Sequence, residues 1–263
     1  MDRSTNLLLR GWHIQGRTIR ALLVRDLMMR YGRDNIGFAW VVIEPMILTV
    51  GVMCIWSLTG HEREGIKVVE MVLTGYMPLT LWRHLTGPVV GMFRANAPML
   101  FHRQISLFDL VIARQFLEIV GTSAALLVVY SILNAMGLVA GIARLDLFLL
   151  GWAMMAWIGA VFGALLAAAT ERYEVAERFV QPIQYLNMPL SGAFFLVDWL
   201  PTWGQHLISF HPLVHCYEVF RSGYFGASIV THYNLPYFAM CAFILSFISI
   251  ITVHRIRSRV RLN

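Results

Sequence analysis

The sequence predicts an all-α fold. It reads as a polytopic membrane protein with six transmembrane helices, an N-terminal amphipathic interface helix and a re-entrant helical pair before the last span. Three observations carry this. The 263 residues are 58% hydrophobic and only 14% charged, against about 45–50% apolar in soluble domains, and mean hydropathy is +0.63. Several apolar runs exceed the roughly 18–20 residues that hydrocarbon requires. The basic residues are also sorted. With the N-terminus in the cytoplasm, 16 of the 21 Lys and Arg fall in segments on that side, the bias that sets orientation. The outer segments hold Arg63, Lys67, Arg144 and Arg221, and Arg83 lies within a span. Both termini are expected inside.

The elements follow in order. Residues 1–35 place Arg10, His13, Arg17 and Arg20 on one helical face and Leu8, Trp12, Ile19 and Leu23 on the other, the pattern of a helix lying in the headgroup region. Seven arginines in the first 33 residues, with no short apolar core and cleavage site behind them, argue against a removable signal. Span 1 covers about residues 36–58 and carries Glu44 before Pro45, which favours a kink or a late helix start. A polar loop, 59–69, leads to span 2 at about 70–94, and 95–104 is its exit loop. Span 3 is expected at 105–136 with Glu118 inside it, then a turn at 137–144. Span 4, at 145–169, is rich in Gly and Ala, which lets helices approach closely in lipid. A charged loop, 170–181, precedes span 5 at 179–197. In 198–228, Pro201 and Pro212 cut an aromatic stretch into pieces too short to cross, the signature of re-entrant or interfacial helices. Span 6 covers 235–254. The whole chain, 1–263, reads as one domain: interface helix 1–35, six-span bundle 36–254 and tail 255–263.

Absences narrow the chemistry. A phosphate-binding loop needs Gly-Lys-Ser/Thr, and the single lysine, Lys67, stands between Ile66 and Val68. This chain is therefore not itself an ATPase. No His-Glu-x-x-His run occurs, and Pro212 interrupts the one i,i+4 histidine pair, His211 and His215, so no metal site is expected. Cys54, Cys216 and Cys241 are scattered and read as small packing residues. The net charge of +6 comes from arginines flanking spans and implies no nucleic acid.

Three groups of residues are candidates for function. Arg83 falls near the middle of span 2, where an ionised side chain costs at least about 2.5–3.5 kcal/mol and is kept toward a cavity or a partner. Tyr76, Thr80, Arg83, Gly87 and Arg94 share a face. With Trp82 and Glu44 they describe a conduit for an anionic or sugar-rich substrate or, for Arg83, either an ion pair with Glu44 or Glu118 or a span end placed elsewhere that lets it snorkel outward. The aromatics Trp199, Trp203, Phe210, Tyr217 and Tyr224 form either an interfacial belt or a sugar-stacking collar at the outer exit, where Glu218 and Arg221 could pair at i,i+3. The two inner loops would present Arg94, Asn96, Leu100, Phe101, His102, Arg103 and Gln104, and Glu171, Arg172, Glu174 and Glu177, to a soluble partner; the plainer reading is that they only set topology.

Four segments in this order resemble the membrane subunit of type-2 ABC exporters, most of all the capsular polysaccharide exporter permeases. They are RDLMMRYGRDNIGFAWVVIEP (25–45), LTGYMPLTLWRHL (73–85), ANAPMLFHRQISLFDLVIAR (95–114) and NMPLSGAFFLVDWLPTWGQHLISFHPLVHCYEVFRSGYF (187–225). One departure is His211-Pro212, where the family commonly has Asn-Pro. The resemblance implies a homodimer in the bacterial inner membrane working with two copies of an ABC ATPase subunit, which binds the ATP and Mg; this chain needs no cofactor. It implies a lipid-linked acidic polysaccharide as substrate and, as partners, membrane lipid, a periplasmic polysaccharide co-polymerase and an outer-membrane export protein. It places coupling loops at 95–105 and 171–178. Other readings are the same fold exporting O-antigen or teichoic acid, a membrane enzyme acting on lipid-linked sugars, and a scaffold for envelope proteins.

Overall fold

The structure, a computed structural model, describes residues 3–31, 65–100 and 105–260, together with Ile47 and Gly51. Span 1 with Glu44, and Phe101 to Gln104 of the first inner loop, lie outside the described residues.

The N-terminal segment forms one helix, α1 (Arg3–Tyr31). His13, Arg17 and Arg20 are exposed and Leu22 is buried. Leu22, Ile19 and Leu23 pack in one cluster with Val89, Phe93, Leu107 and Leu110, so part of the face expected to meet acyl tails is turned onto the protein itself. Gln15 Nε2 donates to Asp109 Oδ1 at 3.1 Å.

The next helix, α2 (Val68–Thr86), is the centre of the bundle, with fifteen of its nineteen residues buried. It is shorter than span 2 was expected to be. Proline lacks an N–H and restricts the residue before it, so Gly87-Pro88 ends the helix there. Two short helices follow, α3 (Met92–Ala95) and α4 (Ala97–Leu100). Gly91, at φ 66°, makes the turn into α3, a conformation that suits glycine. Arg83 therefore sits in the last turn of α2, not in mid-span.

Three long helices follow in the chain. Helix α5 (Leu107–Ala135) starts with a reciprocal capping box between Ser106 and Asp109. Helix α6 (Leu145–Arg172) and helix α10 (Leu235–Val260) complete the set. Two of them, α5 and α6, pack on α2, and the third, α10, packs chiefly on α6. Among the described residues three helices are long and apolar enough to cross a membrane: α5, α6 and Leu235–Ile256 of α10. The last helix carries on past residue 254 into the arginine tail.

Helix α7 (Glu174–Leu190) begins five residues before the expected start of span 5 and ends seven before its expected end. Only Tyr173, in extended conformation, separates it from α6, so the expected loop at 170–181 is a tight corner. Ser191 and Gly192, the latter at φ 88°, terminate it. A 3₁₀ turn (Val197–Trp199), α8 (Thr202–Ile208) and α9 (Pro212–Phe225) follow.

Helix ends sort into two groups. At one end Glu70 of α2 accepts from Ala140 N at 2.8 Å and from the Tyr224 hydroxyl at 3.3 Å, and Arg144 N donates to Gly223 O at 2.8 Å. At the other, the arginine end, Leu22, Phe93, Leu107, Ala168, Val253 and Ile256 form one apolar cluster.

The small residues expected to tighten span 4 do so at its contact with α9. A Cβ on Gly151 would sit 2.4 Å from Phe220 N, and one on Gly223 would sit 2.1 Å from Phe148 N. These are backbone atoms and cannot swing aside. Gly223→Ala is expected to destabilise the protein by about 1–3 kcal/mol, the range for overpacking. Gly121→Ala, where a Cβ meets nothing within 4 Å, is the control, expected to melt at or slightly above the wild-type temperature. Equal melting temperatures for the two variants in detergent would remove the close α6–α9 approach.

Candidate functional site

Polar residues of α2 and α7 face each other in a seam at the arginine end of α2, at the edge of the bundle: Val180 is the one buried residue of α7, and Gln181 is exposed. From α2 come Thr80, Arg83, His84 and Gly87, at i, i+3, i+4 and i+7 and so on one face. From α7 come Gln181 and Gln184. These six residues line a cavity of about 130 Å³. Gln184 Nε2 donates to Thr86 Oγ1 at 2.9 Å, which pins α7 to α2.

Behind the cavity, His84 Nδ1 lies 3.3 Å from a carboxylate oxygen of Glu118, whose other oxygen lies 3.2 Å from Arg114 Nε. Glu118 is buried, and a buried carboxylate needs a partner such as the Arg114 guanidinium. It takes His84 and Arg114 as partners in place of the Arg83 pairing considered from sequence. Gln115 Nε2 donates to Leu85 O at 3.1 Å, fixing α5 to the same turn of α2.

Beyond the seam, Arg94 ties the turn after α2 to the α6–α7 corner. Its guanidinium donates to Thr170 O at 2.8 Å and pairs with Glu177. It also lies 3.8 Å from Glu171 and 4.0 Å from Glu174. Gly91 N donates to Thr170 Oγ1 at 3.3 Å. Both inner loops read from the sequence thus meet at one corner, and Arg94 turns inward onto the glutamates. On its other side this corner meets α1, where the Arg25 guanidinium contacts Met99 Sδ.

The conduit residues separate. Thr80 and Arg83 line the polar cavity. Trp82 faces the opposite way, stacks on Phe162 at 5.2 Å between ring centroids and lines a second cavity. Tyr76 is buried in the main core. Of the collar aromatics, Trp203 and Phe210 are 70% and 72% exposed, whereas Tyr217 and Tyr224 are 1% and 2% exposed. Trp199 is half-buried against Ile66 and Leu196. Of the loop residues, Asn96 closes its own turn by donating to Met92 O, Leu100 packs on the arginine-end cluster, and Arg172 lies over the Tyr173 ring at 5.2 Å.

The expected Glu218–Arg221 pair is replaced by backbone partners. Arg221, fully buried, donates to Gly192 O, Phe195 O and Ala193 O at 2.6–2.7 Å. Glu218 accepts from Val197 N at 3.3 Å and His232 N at 2.8 Å. Together they clamp the 191–199 connection onto α9.

Sequence reading took Glu177 for a loop residue and missed Gln181 and Gln184. Their spacing, i, i+4 and i+7, is a polar stripe that becomes visible once a helix is started at Glu174; starting it at 179 hid the pattern. Chemically the seam offers a guanidinium, an imidazole and two amides, a donor-rich lining suited to anions or hydroxyl groups. Among the described residues no group of three His, Cys, Asp or Glu could hold a metal.

A family model described as "ABC-2 type transporter" matches residues 17–225. Over 243 residues, 92% of both chains, this chain is 35% identical to the capsule polysaccharide export inner-membrane protein CtrC of Neisseria meningitidis serogroup A. It is 30% identical over 241 residues, 91% of both chains, to the capsule polysaccharide export inner-membrane protein BexB of Haemophilus influenzae. It is 23% identical over 258 residues to the polysialic acid transport protein KpsM of Escherichia coli, covering 96% of this chain and 98% of that one.

Proposed function

The chain belongs to the ABC-2 type transporter family, and from that premise we propose that it is the inner-membrane permease subunit of a capsular polysaccharide exporter. Relatives named for capsule polysaccharide export, aligned over nine-tenths of the chain, support the substrate class. The observation that carries the reading is the α2–α7 seam. A guanidinium, an imidazole and two glutamines gathered at the arginine end of a largely apolar helix bundle suit the entrance of a polar path.

In this reading the chain is a transport subunit and ATP is hydrolysed by a separate ABC ATPase. The arginine end faces the cytoplasm, with both termini inside, in line with the positive-inside bias. The corner joined by Arg94 then lies where a soluble motor would dock. Two copies of the chain work with two ATPase subunits, and six spans per copy include residues 36–58 as the first. Helices α8 and α9 form a re-entrant pair at the outer side: α9 lies against the first half of α6, and its N-terminal Leu213 shares a cavity with Ile158. Beyond the membrane, a periplasmic co-polymerase and an outer-membrane export protein receive the polymer. The substrate is a lipid-linked acidic polysaccharide, for which the Arg83 cavity supplies the cation.

Co-expression tests this. The chain is expected to co-purify with its ATPase and to change the rate of hydrolysis, and its deletion is expected to leave polymer inside the cell. Processing of a lipid-linked sugar by the purified chain alone would overturn the reading in favour of an enzyme. Arg83→Met is expected to keep normal abundance and lower export on the order of tenfold. Normal export with reduced abundance would instead assign Arg83 a structural role.

A further inference from the structure

Gln184 separates two cavities of opposite character. On one side is the polar cavity with Arg83, His84 and Gln181. On the other is a cavity of about 150 Å³ walled by Trp82, Ile158, Phe162, Val180, Leu213 and Leu245. Engineered cavities of that size, lined by Leu, Ile and Phe, stay dry and take up benzene. A segment of hydrocarbon chain fits the same description.

Gln184, Asn187 and His211 add polar atoms to this mostly apolar lining. Among the described residues neither Trp82 Nε1 nor His211 Nδ1 has a hydrogen-bond partner; the ester group of an amphiphile can satisfy such atoms and a bare hydrocarbon cannot. The rim of the cavity is open at Ile183, which is about half exposed on the outer face of α7 beside Leu186 and Leu190. A chain can therefore enter sideways from the bilayer and continue along that apolar surface.

The two cavities lie side by side along the shared Gln184: the polar one runs from Thr80 to Gly87 of α2, and the apolar one from Leu166, beside the arginine-end cluster, to Leu213 at the α9 N-terminus. One amphiphile can therefore place its head in the first and its chain in the second.

We propose that the α2–α7 seam binds an anionic amphiphile, its phosphate on Arg83, His84 and Gln181 and a segment of its hydrocarbon chain in the Trp82–Phe162 cavity. Two sources share this chemistry: the lipid end of the exported polymer, which rests on the proposed function, and a resident membrane phospholipid. The Gln184–Thr86 hydrogen bond lies between head and chain and positions both helices around them.

The test is lipid retention. The full chain, in phosphatidylcholine nanodiscs doped with phosphatidylglycerol, is released and its bound lipids are counted by native mass spectrometry. Wild type is expected to keep phosphatidylglycerol. Arg83→Met is expected to lower that retention about tenfold, as for loss of one charge-assisted contact, and Arg83→Lys to restore part of it. Ile183→Trp, at the half-exposed rim where folding is tolerant, is expected to block the chain and lower retention of both lipids. Competition with lipid-linked polymer extracted from capsulated cells separates the sources: displacement identifies the substrate's anchor, and resistance identifies a resident phospholipid. Wild-type retention in monodisperse Arg83→Met and Ile183→Trp protein would overturn the site. Failure to pair with an ATPase, with retention as expected, would remove the permease reading and leave the site standing.

Discussion

Arg221→Met is expected to remove most of the folded protein. The guanidinium is completely buried and makes three short hydrogen bonds to the carbonyls of Gly192, Ala193 and Phe195. Its plane lies 5.6 Å from the centre of the Tyr217 ring. Methionine fills similar space and donates nothing. Each orphaned buried carbonyl costs about 1–3 kcal/mol, so three together approach the roughly 5–15 kcal/mol by which folded proteins are stable. The damage spreads because Gly75 of α2 packs against the same group; a Cβ there would lie 3.2 Å from Arg221 Nη2 and 2.1 Å from Ala193 O. Loss of the arginine therefore frees the 191–199 connection from both α9 and the central helix. Arg221→Lys keeps the charge but not the planar fork that reaches several carbonyls at once, and is expected to fall between the two. The measurement is the monodisperse fraction and melting temperature in detergent. A wild-type profile for Arg221→Met would show that the clamp does not hold the fold.

Arg94→Glu is expected to leave the protein folded and assembled with its ATPase while lowering export on the order of tenfold or more. Arg94 is 40% exposed and Glu174 is 88% exposed, so these pairs add little to stability. Their effect is geometric: Arg94 joins the turn after α2 to the α6–α7 corner through Thr170, Glu171 and Glu177. A motor acting on either loop would move the other, and with it the N-terminus of α7 and its half of the seam. A glutamate at 94 would face three others and push the corner open. The double variant Arg94→Glu, Glu177→Arg restores one pair with reversed sign and is expected to recover much of the export; the double-mutant cycle measures the coupling. Equal export from Arg94→Glu and wild type, at equal ATPase occupancy, would sink the mechanical link.

The elements differed in how plainly the sequence announced them. The spans at 105–136 and 145–169 were legible to within about three residues at each end, because long apolar runs separated by a Gly-bearing turn are local signals. The end of α2 was misjudged although Gly87-Pro88 marks it, because apolarity continues through Val89, Val90, Met92 and Phe93, residues that the structure turns into the arginine-end cluster. Helix α7 was misjudged for the opposite reason. Its first turns are charged, and charge was taken for loop, yet Glu174, Glu177, Gln181 and Gln184 are the polar face of a helix whose glutamates are met by Arg94. Thr80 and Arg83 were found from their shared face, while Trp82, one residue away from Arg83 in sequence, belongs to a different cavity because adjacent helical residues point about 100° apart.

By itself the sequence determined the helical class, the sorting of arginines to one side, the absence of a phosphate-binding loop and the family resemblance. All of these follow from composition, local spacing or short motifs. Only the tertiary structure decided which charges meet. Arg94 and Glu177 are 83 residues apart in the chain, and Glu70 and Tyr224 are 154 apart. Which of several buried cations reaches a given acceptor depends on how helices pack, and close backbone approaches such as Gly223 on Phe148 set that packing. Arg221 is the clearest case. Spacing suggested Glu218 as its partner, but the fold brought three carbonyls closer, and a buried guanidinium is held by whichever acceptors the packing delivers.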